Sequence, residues 1–262
     1  MNRRVWILLA AIAVAVFVVY LFPAIPQSEA YHNFADKRAL LGVSNCLNVI
    51  SNALFLLVGL PGMWFTLRAG VNRKAFLDPR QRWPYFAFFV GVTLTAFGSA
   101  WYHLNPNDHT LVWDRIPMAI GFMALVAALV AERIDISAGL YLLLPLIAAG
   151  IGTVLYWEVT QSHGHGDLRP YAIAQFGSLL VLLLLIALFP ARYTRTLDFA
   201  ISLGFYGIAK MFEAADRIVF SLAHIVSGHT IKHIFAALSA YWILRMLRLR
   251  SPIASRAAKA FA

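Results

Sequence analysis

The sequence predicts an all-α polytopic membrane protein, a seven-transmembrane-helix core with an extra N-terminal hydrophobic helix, about eight spans in all. Three observations predict it. Of 262 residues, 61% are hydrophobic and only 13% charged, where soluble domains carry about 25% charged residues. Mean hydropathy is +0.71. The apolar runs are long and almost uncharged, and a spanning helix needs roughly 20 such residues. A membrane barrel would instead alternate apolar and polar over ~10-residue segments, and no such alternation is present.

The first apolar segment, 5–23, follows the basic stretch Asn2-Arg3-Arg4. It reads as a retained transmembrane helix or signal anchor. The competing reading is a signal peptide cleaved near Ser28-Glu29-Ala30, but the apolar stretch exceeds the usual 7–15 residues of such peptides. Segments 47–67, 83–102, 116–130, 138–156 and 171–189 follow, separated by short connections. Segment 199–220 is the weakest, because Lys210, Glu213, Asp216 and Arg217 interrupt its second half. Segment 229–247 completes the set. The domain reading is an N-terminal helix over 1–30, one seven-helix unit over 31–250 and a basic tail over 251–262. Cys46 is the sole cysteine, which excludes an intramolecular disulfide and a thiolate metal cluster.

Net charge is +10. In a soluble chain this would suggest nucleic acid; here it reads as membrane topology, and no nucleic-acid partner is expected. With the N-terminus in the cytoplasm, 15 of the 22 Lys and Arg residues fall on the cytoplasmic side, in the N-terminus, the 68–82 loop, Arg133, the 190s and the region after Arg245. Lys37, Arg38, Arg115, Arg169, Lys210, Arg217 and Lys232 fall on the other side. Lysine and arginine bias towards the cytoplasm sets orientation, so both termini are expected there, and a bacterial inner membrane is the expected setting. The 68–82 loop is expected to touch anionic headgroups.

This orientation collects five residues at the outer ends of their segments: Ser99 and His103 in SAWYH, Asp114 in VWDR, and His229 and His233 in GHTIKH. Ionisable groups at membrane depth are expensive and mark functional sites. Ser99/His103 and His229/His233 are each spaced i,i+4, which places both members on one helix face. His229 and His233 can share a metal from one helix and His103 can complete the set from another. Catalytic zinc takes three protein ligands and leaves one position for water, whose pKa falls to about 7. Asp114 could then move the proton and Ser99 could hold the water or a developing oxyanion. Taken singly the same residues have plainer readings: a helix cap for Asp114, a packing serine for Ser99, interfacial polar groups for the histidines. His163, His165 and Asp167 in SHGHGD form a second metal-like cluster, read as a solvated connection. Lys210, Glu213 and Asp216, at i, i+3 and i+6, read as a polar cavity mouth or an internal ion pair.

The SxxxH pattern, the aspartate eleven residues after its histidine and the final HxxxH resemble the alkaline ceramidase family, as does the stretch YHNFADKRALLGVSNCLNVISNALFLLVG with its NVISN. That family belongs to a superfamily of seven-helix membrane hydrolases that also holds adiponectin/progestin-type receptors and lipid-remodelling proteins. The resemblance covers about residues 31–250. It implies that His103, His229 and His233 hold Zn2+, that Ser99 and Asp114 stand beside the reacting water, and that a ceramide amide is cleaved to a sphingoid base and a fatty acid. The family's acidic calcium-binding cluster has only Asp36, Asn33, Asn45, Asn48 and Asn52 as counterparts here. Calcium favours carboxylate oxygens, so calcium binding is doubtful.

The expected function is therefore zinc-dependent intramembrane hydrolysis of a lipid amide, with a lipid as partner and no obligate protein partner. The alternatives are a lipid receptor with a structural zinc completed by Asp114, a hydrolase of another lipid, and a transporter with a proton-relay histidine cluster.

Overall fold

The computed structural model describes residues 3–68 and 75–253. Arg73 and Lys74 of the 68–82 loop, and Arg256 and Lys259 of the basic tail, lie outside the described residues. The described chain is helical without strands: α1 Arg3–Tyr20, α2 Cys46–Arg68, α3 Arg82–Leu104, α4 Asp108–Arg133, α5 Ile136–Ser162, α6 Arg169–Leu188, α7 Leu197–Ala214, α8 Asp216–Ala223 and α9 Gly228–Leu249. Six of them, α1 to α6, are long and apolar enough to cross a membrane. The protein is thus an all-α polytopic membrane protein, as composition requires.

The expected count of about eight spans is corrected at α7 and α9. Both form helices, but α7 carries Asp198, Lys210 and Glu213, and α9 begins with His229, Lys232 and His233 and ends with Arg245 and Arg248. Segment 199–220 is also not one helix. It breaks at Ala215 and restarts as α8, because the Asp216 carboxylate turns back to accept from the His229 and Ala35 backbone N–H groups at 2.7 and 2.8 Å. Lys210 and Glu213 consequently share a helix face, while Asp216 does not belong to it.

Helix α4 is the centre of the bundle, packed against α3, α5 and α6. Its small residues Ala119, Ala124, Ala127, Ala128 and Ala131 are all buried, which lets neighbouring backbones approach closely in the absence of a hydrophobic drive inside lipid. Among the described glycines the tightest approach to a neighbouring backbone is at Gly98, where an added Cβ would stand 1.9 Å from the Trp113 carbonyl oxygen. α9 packs against α7 and α2, and α2 against α3. α1 lies outside this core, resting on α6, with Trp6, Leu9, Val14 and Phe17 exposed as a lipid-facing surface requires.

Between α1 and α2 the chain forms a strap across one end of the bundle. Ile25 accepts from the Leu168 N–H at 2.9 Å, and Gln27 exchanges bonds with Gln161. His32 reaches Tyr102 and Asp108, and Arg38 donates to the His224 and Ile225 carbonyls. The strap thereby touches connections between several helices. At the opposite end, a buried Arg250–Glu132 pair, capped by Tyr85 and with the guanidinium stacked 4.0 Å from the Tyr193 ring, closes the bundle.

The close approach at Gly98 sets the spacing of α3 and α4 one residue from Ser99 and from Asp114. Gly98→Ala is expected to destabilise the protein by about 1–3 kcal/mol, the usual overpacking range, read as a lower unfolding temperature in detergent. Gly152→Ala, where nothing lies within 4 Å, should leave that temperature unchanged or raise it.

Candidate metal centre

The expected meeting of His103 with the His229/His233 pair is found. His103 comes from the last turn of α3, and His229 and His233 from the first turns of α9. All three are buried, with exposures of 0, 4 and 1%. Their ring centroids lie 4.8–5.0 Å apart. One ligand nitrogen from each falls within 4.8 Å of the others, a group able to hold a metal ion.

The closest pair tests the fit. His103 Nε2 and His233 Nε2 are 3.3 Å apart. Two nitrogens bound at about 2.0–2.1 Å to one tetrahedral ion stand about 3.3–3.4 Å apart, whereas a direct hydrogen bond between nitrogens would normally be shorter. Ser51 Oγ lies 2.7 Å from His233 Nδ1 and donates to the Asn48 carbonyl at 3.1 Å. The hydroxyl proton being engaged there, Ser51 accepts from Nδ1–H, which leaves the Nε2 lone pair of His233 for a metal. A partner that fixes the tautomer in this way is the usual support of a ligating histidine.

Local chemistry explains why α9 starts where it does. Ser227 is its N-cap, accepting from the Thr230 N–H at 3.2 Å, and such caps satisfy donors that the first turn cannot. Asn48 of α2 accepts from the Thr230 hydroxyl at 2.8 Å and from that of Ser227 at 3.4 Å. Asp216 takes the His229 N–H. The two histidines of α9 are thus fixed to α2 and α8 before any metal is considered. On α3, the Asn45 amide donates to the His103 carbonyl at 2.9 Å. Phe34 of the strap roofs the cluster, its ring 4.7 Å from His103 and 4.6 Å from His229.

Asp114 and Ser99 are buried, and their side chains interact with one another. With His233 they line one cavity of about 310 Å³. Asp114 is not part of the group whose ligand atoms fit one ion. The cavity's polar end also receives Lys232, Glu213, Lys210, Tyr31 and Arg115, while Phe88, Val92, Met118, Phe122 and Ala236 line the remainder. Glu213 is shared between Lys210 and Lys232, the latter at 3.0 Å; for Lys210 and Glu213 the ion pair lies on the cavity wall, whereas Asp216 belongs to neither. A π-helical turn, Ile173–Gly177, brings Gln175 of α6 to the Tyr206 hydroxyl of α7 at 2.6 Å.

The SHGHGD loop gathers no second site among the described residues. His163 and His165 are exposed, and Asp167 is held by Arg169 at 2.8 Å, which keeps its carboxyl below the usual carboxylate range. Three of the residues named for a calcium site, Asp36, Asn45 and Asn48, make structural contacts. The Arg38 guanidinium holds Asp36, likewise with a lowered pKa, and Asn45 and Asn48 serve α3 and α9.

Sequence reasoning passed over Ser51 and Phe34, and considered Asn48 only for calcium, not as the residue that holds the start of α9. Asn48, Ser51 and Asn52 lie at i, i+3 and i+4 in an apolar segment, one polar face that only an inward partner would tolerate. Nothing local marks Phe34, whose role arises from the path of the strap. No protein-family model and no curated protein matches this chain.

Replacing Ser51 by Ala should lower metal affinity about 10–100-fold, the usual effect of losing such a supporting group. Chelator competition on the purified protein measures it. Unchanged affinity would mean that Ser51 does not orient His233.

Proposed function

We propose that the protein is a zinc-dependent intramembrane hydrolase of a lipid amide, of the kind the alkaline ceramidases represent, with ceramide as its substrate. The observation that supports this reading is the meeting of the buried imidazole cluster with a cavity: His233 belongs to both, and the Asp114 carboxylate and Ser99 hydroxyl stand on the same largely apolar wall. Three nitrogen ligands with Asp114 outside the set match an open catalytic site better than a closed structural one, which takes four protein ligands.

Zinc held by His103, His229 and His233 would supply Lewis acidity, activating water and polarising the amide carbonyl. The remaining chemistry falls to the chain. Asp114 takes a proton from the attacking water and delivers it to the departing amine nitrogen, so that the C–N bond breaks as the nitrogen becomes neutral. Ser99 donates a hydrogen bond to the oxygen on which charge develops. Phe34 packs over the His103 and His229 rings and Tyr31 lines the cavity, which limits bulk water there and strengthens those contacts. The apolar lining accepts the acyl chain. With both termini cytoplasmic, the site faces the outer side of a bacterial inner membrane.

Metal analysis of detergent-purified protein, wild type beside His229→Ala/His233→Ala, tests the centre. About one zinc per chain, absent from the double variant, is the expected result. Turnover of a fluorescent ceramide tests the chemistry. Asp114→Asn should retain zinc yet lose nearly all turnover, and Ser99→Ala should lower kcat about 10²–10³-fold, as loss of one oxyanion donor does. Metal-free wild type after zinc addition, or full activity in Asp114→Asn, would overturn the reading.

A further inference from the structure

One buried charge has no role in this chemistry. Arg115 follows Asp114 on α4 and is 6% exposed, on the wall of the same cavity. Its guanidinium lies among three aromatic rings, 4.2 Å from the Trp157 centroid, 4.8 Å from Tyr171 and 5.8 Å from Tyr31. It donates to Gln27 Oε1 at 2.5 Å. Nη1 is buried without a hydrogen-bond partner.

The contrast with the chain's other buried arginines is informative. Arg250 also keeps one nitrogen without a partner but pairs with the Glu132 carboxylate, and Arg133 donates to the Phe189 carbonyl at 2.8 Å and to Thr196. Arg115 takes part in no ion pair among the described residues. Asp114, its neighbour on the helix, acts on it only through space and makes no ion pair with it, because consecutive helical residues do not face each other. Aromatic rings attract the faces of a guanidinium, but its five N–H donors lie in its plane and need oxygen acceptors. A buried cation without a counter-charge is costly. The cavity wall as a whole carries three cations, Arg115, Lys210 and Lys232, against two carboxylates, Asp114 and Glu213, and Glu213 already serves both lysines.

We propose that Arg115 docks an oxyanion, a carboxylate or phosphate, carried by the amphiphile that occupies the cavity. The planar fork of arginine suits such groups, which accept two parallel hydrogen bonds. Gln27 and Tyr31 bring the strap to the same point, so the docked group meets α4 and the strap together. As a statement about substrate this rests on the lipid-amide reading: with ceramide, whose headgroup is neutral, the docked oxyanion is the carboxylate of the released fatty acid, whereas a headgroup oxyanion would replace ceramide by an anionic lipid amide. As a binding site it stands on the geometry of Arg115 itself.

Calorimetric titration of chelator-treated protein in a neutral detergent tests it, because no metal then competes for the anion and no turnover is required. The probes are N-dodecanoylglycine, dodecyl phosphate, dodecanoate and the neutral N-dodecanoylethanolamine. The anionic probes should bind wild type at least about tenfold more tightly than the neutral one, a difference typical of one charge-assisted contact. Arg115→Gln should lose this preference while still binding the neutral probe, which also reports that the variant is folded. Arg115→Lys, retaining charge without the fork, should keep part of it. N-dodecanoylglycine or dodecyl phosphate binding more tightly than dodecanoate would assign the oxyanion to a headgroup; the reverse would assign it to the fatty acid. Equal binding of anionic and neutral probes by wild type, or a preference undiminished in Arg115→Gln, would overturn the proposal. Anion preference without any lipid-amide hydrolysis would remove the substrate reading and leave the Arg115 site standing.

Discussion

The anchoring of the start of α9 is the constraint on which the site depends. Two of the three imidazoles stand in its first turns, so a shift of one residue in that helix would move His229 and His233 away from His103. Ser227, Asn48 and Asp216 prevent it by claiming the Thr230 N–H, the Thr230 hydroxyl and the His229 N–H. Each contact satisfies a donor that the helix cannot satisfy internally, in surroundings where an unsatisfied group is costly. The same hydrogen bonds that make α9 tolerable inside the bundle therefore also aim its histidines.

The strap extends this logic to the open end. Residues between α1 and α2 form no long helix, yet they supply Phe34 against two imidazoles, Tyr31 against Glu213 at 3.3 Å, and Gln27 against Arg115. An irregular segment at this depth survives only where other groups take its backbone donors and acceptors. Leu168, Asp216 and Arg217 do so along its length. α1 emerges as the element that delivers this strap to the end of the bundle where the histidines lie, rather than as part of the helical core.

Most of the fold was legible because the bilayer imposes so few solutions. Six apolar segments became helices close to their expected positions, and His229 and His233 shared a face because four residues make little more than one turn. What periodicity could not give was the break at Ala215. Lys210, Glu213, Asp216 and Arg217 announced trouble in that segment, but whether the helix would bend or continue depended on partners from α9 and the strap, distant in sequence. Ser51 and Asn48 were visible as polar residues in an apolar run, without any indication of which helix they would meet. Phe34 was illegible, since an aromatic residue in an irregular stretch has no period to betray its direction.

The two ends of the bundle treat buried charge in opposite ways, and the difference separates scaffold from site. At the Arg250 end, guanidinium, carboxylate and two tyrosines are mutually engaged in a nearly closed set, and Arg133 and Arg192 donate to backbone carbonyls nearby. Such a set rigidifies its surroundings and leaves little for a ligand to gain. At the histidine end the set is incomplete by design of the same sequence: Arg115 has one hydrogen bond, His103 Nδ1 has no partner, and Asp114 interacts with Ser99 on the wall of a cavity. Asn48, Asn52, Trp157 and Arg250 also keep a buried polar atom without a partner, so what sets Arg115, Asp114 and the histidines apart is their gathering around one cavity and one candidate metal position. Metal, water and an anionic amphiphile are the chemistries that would complete them.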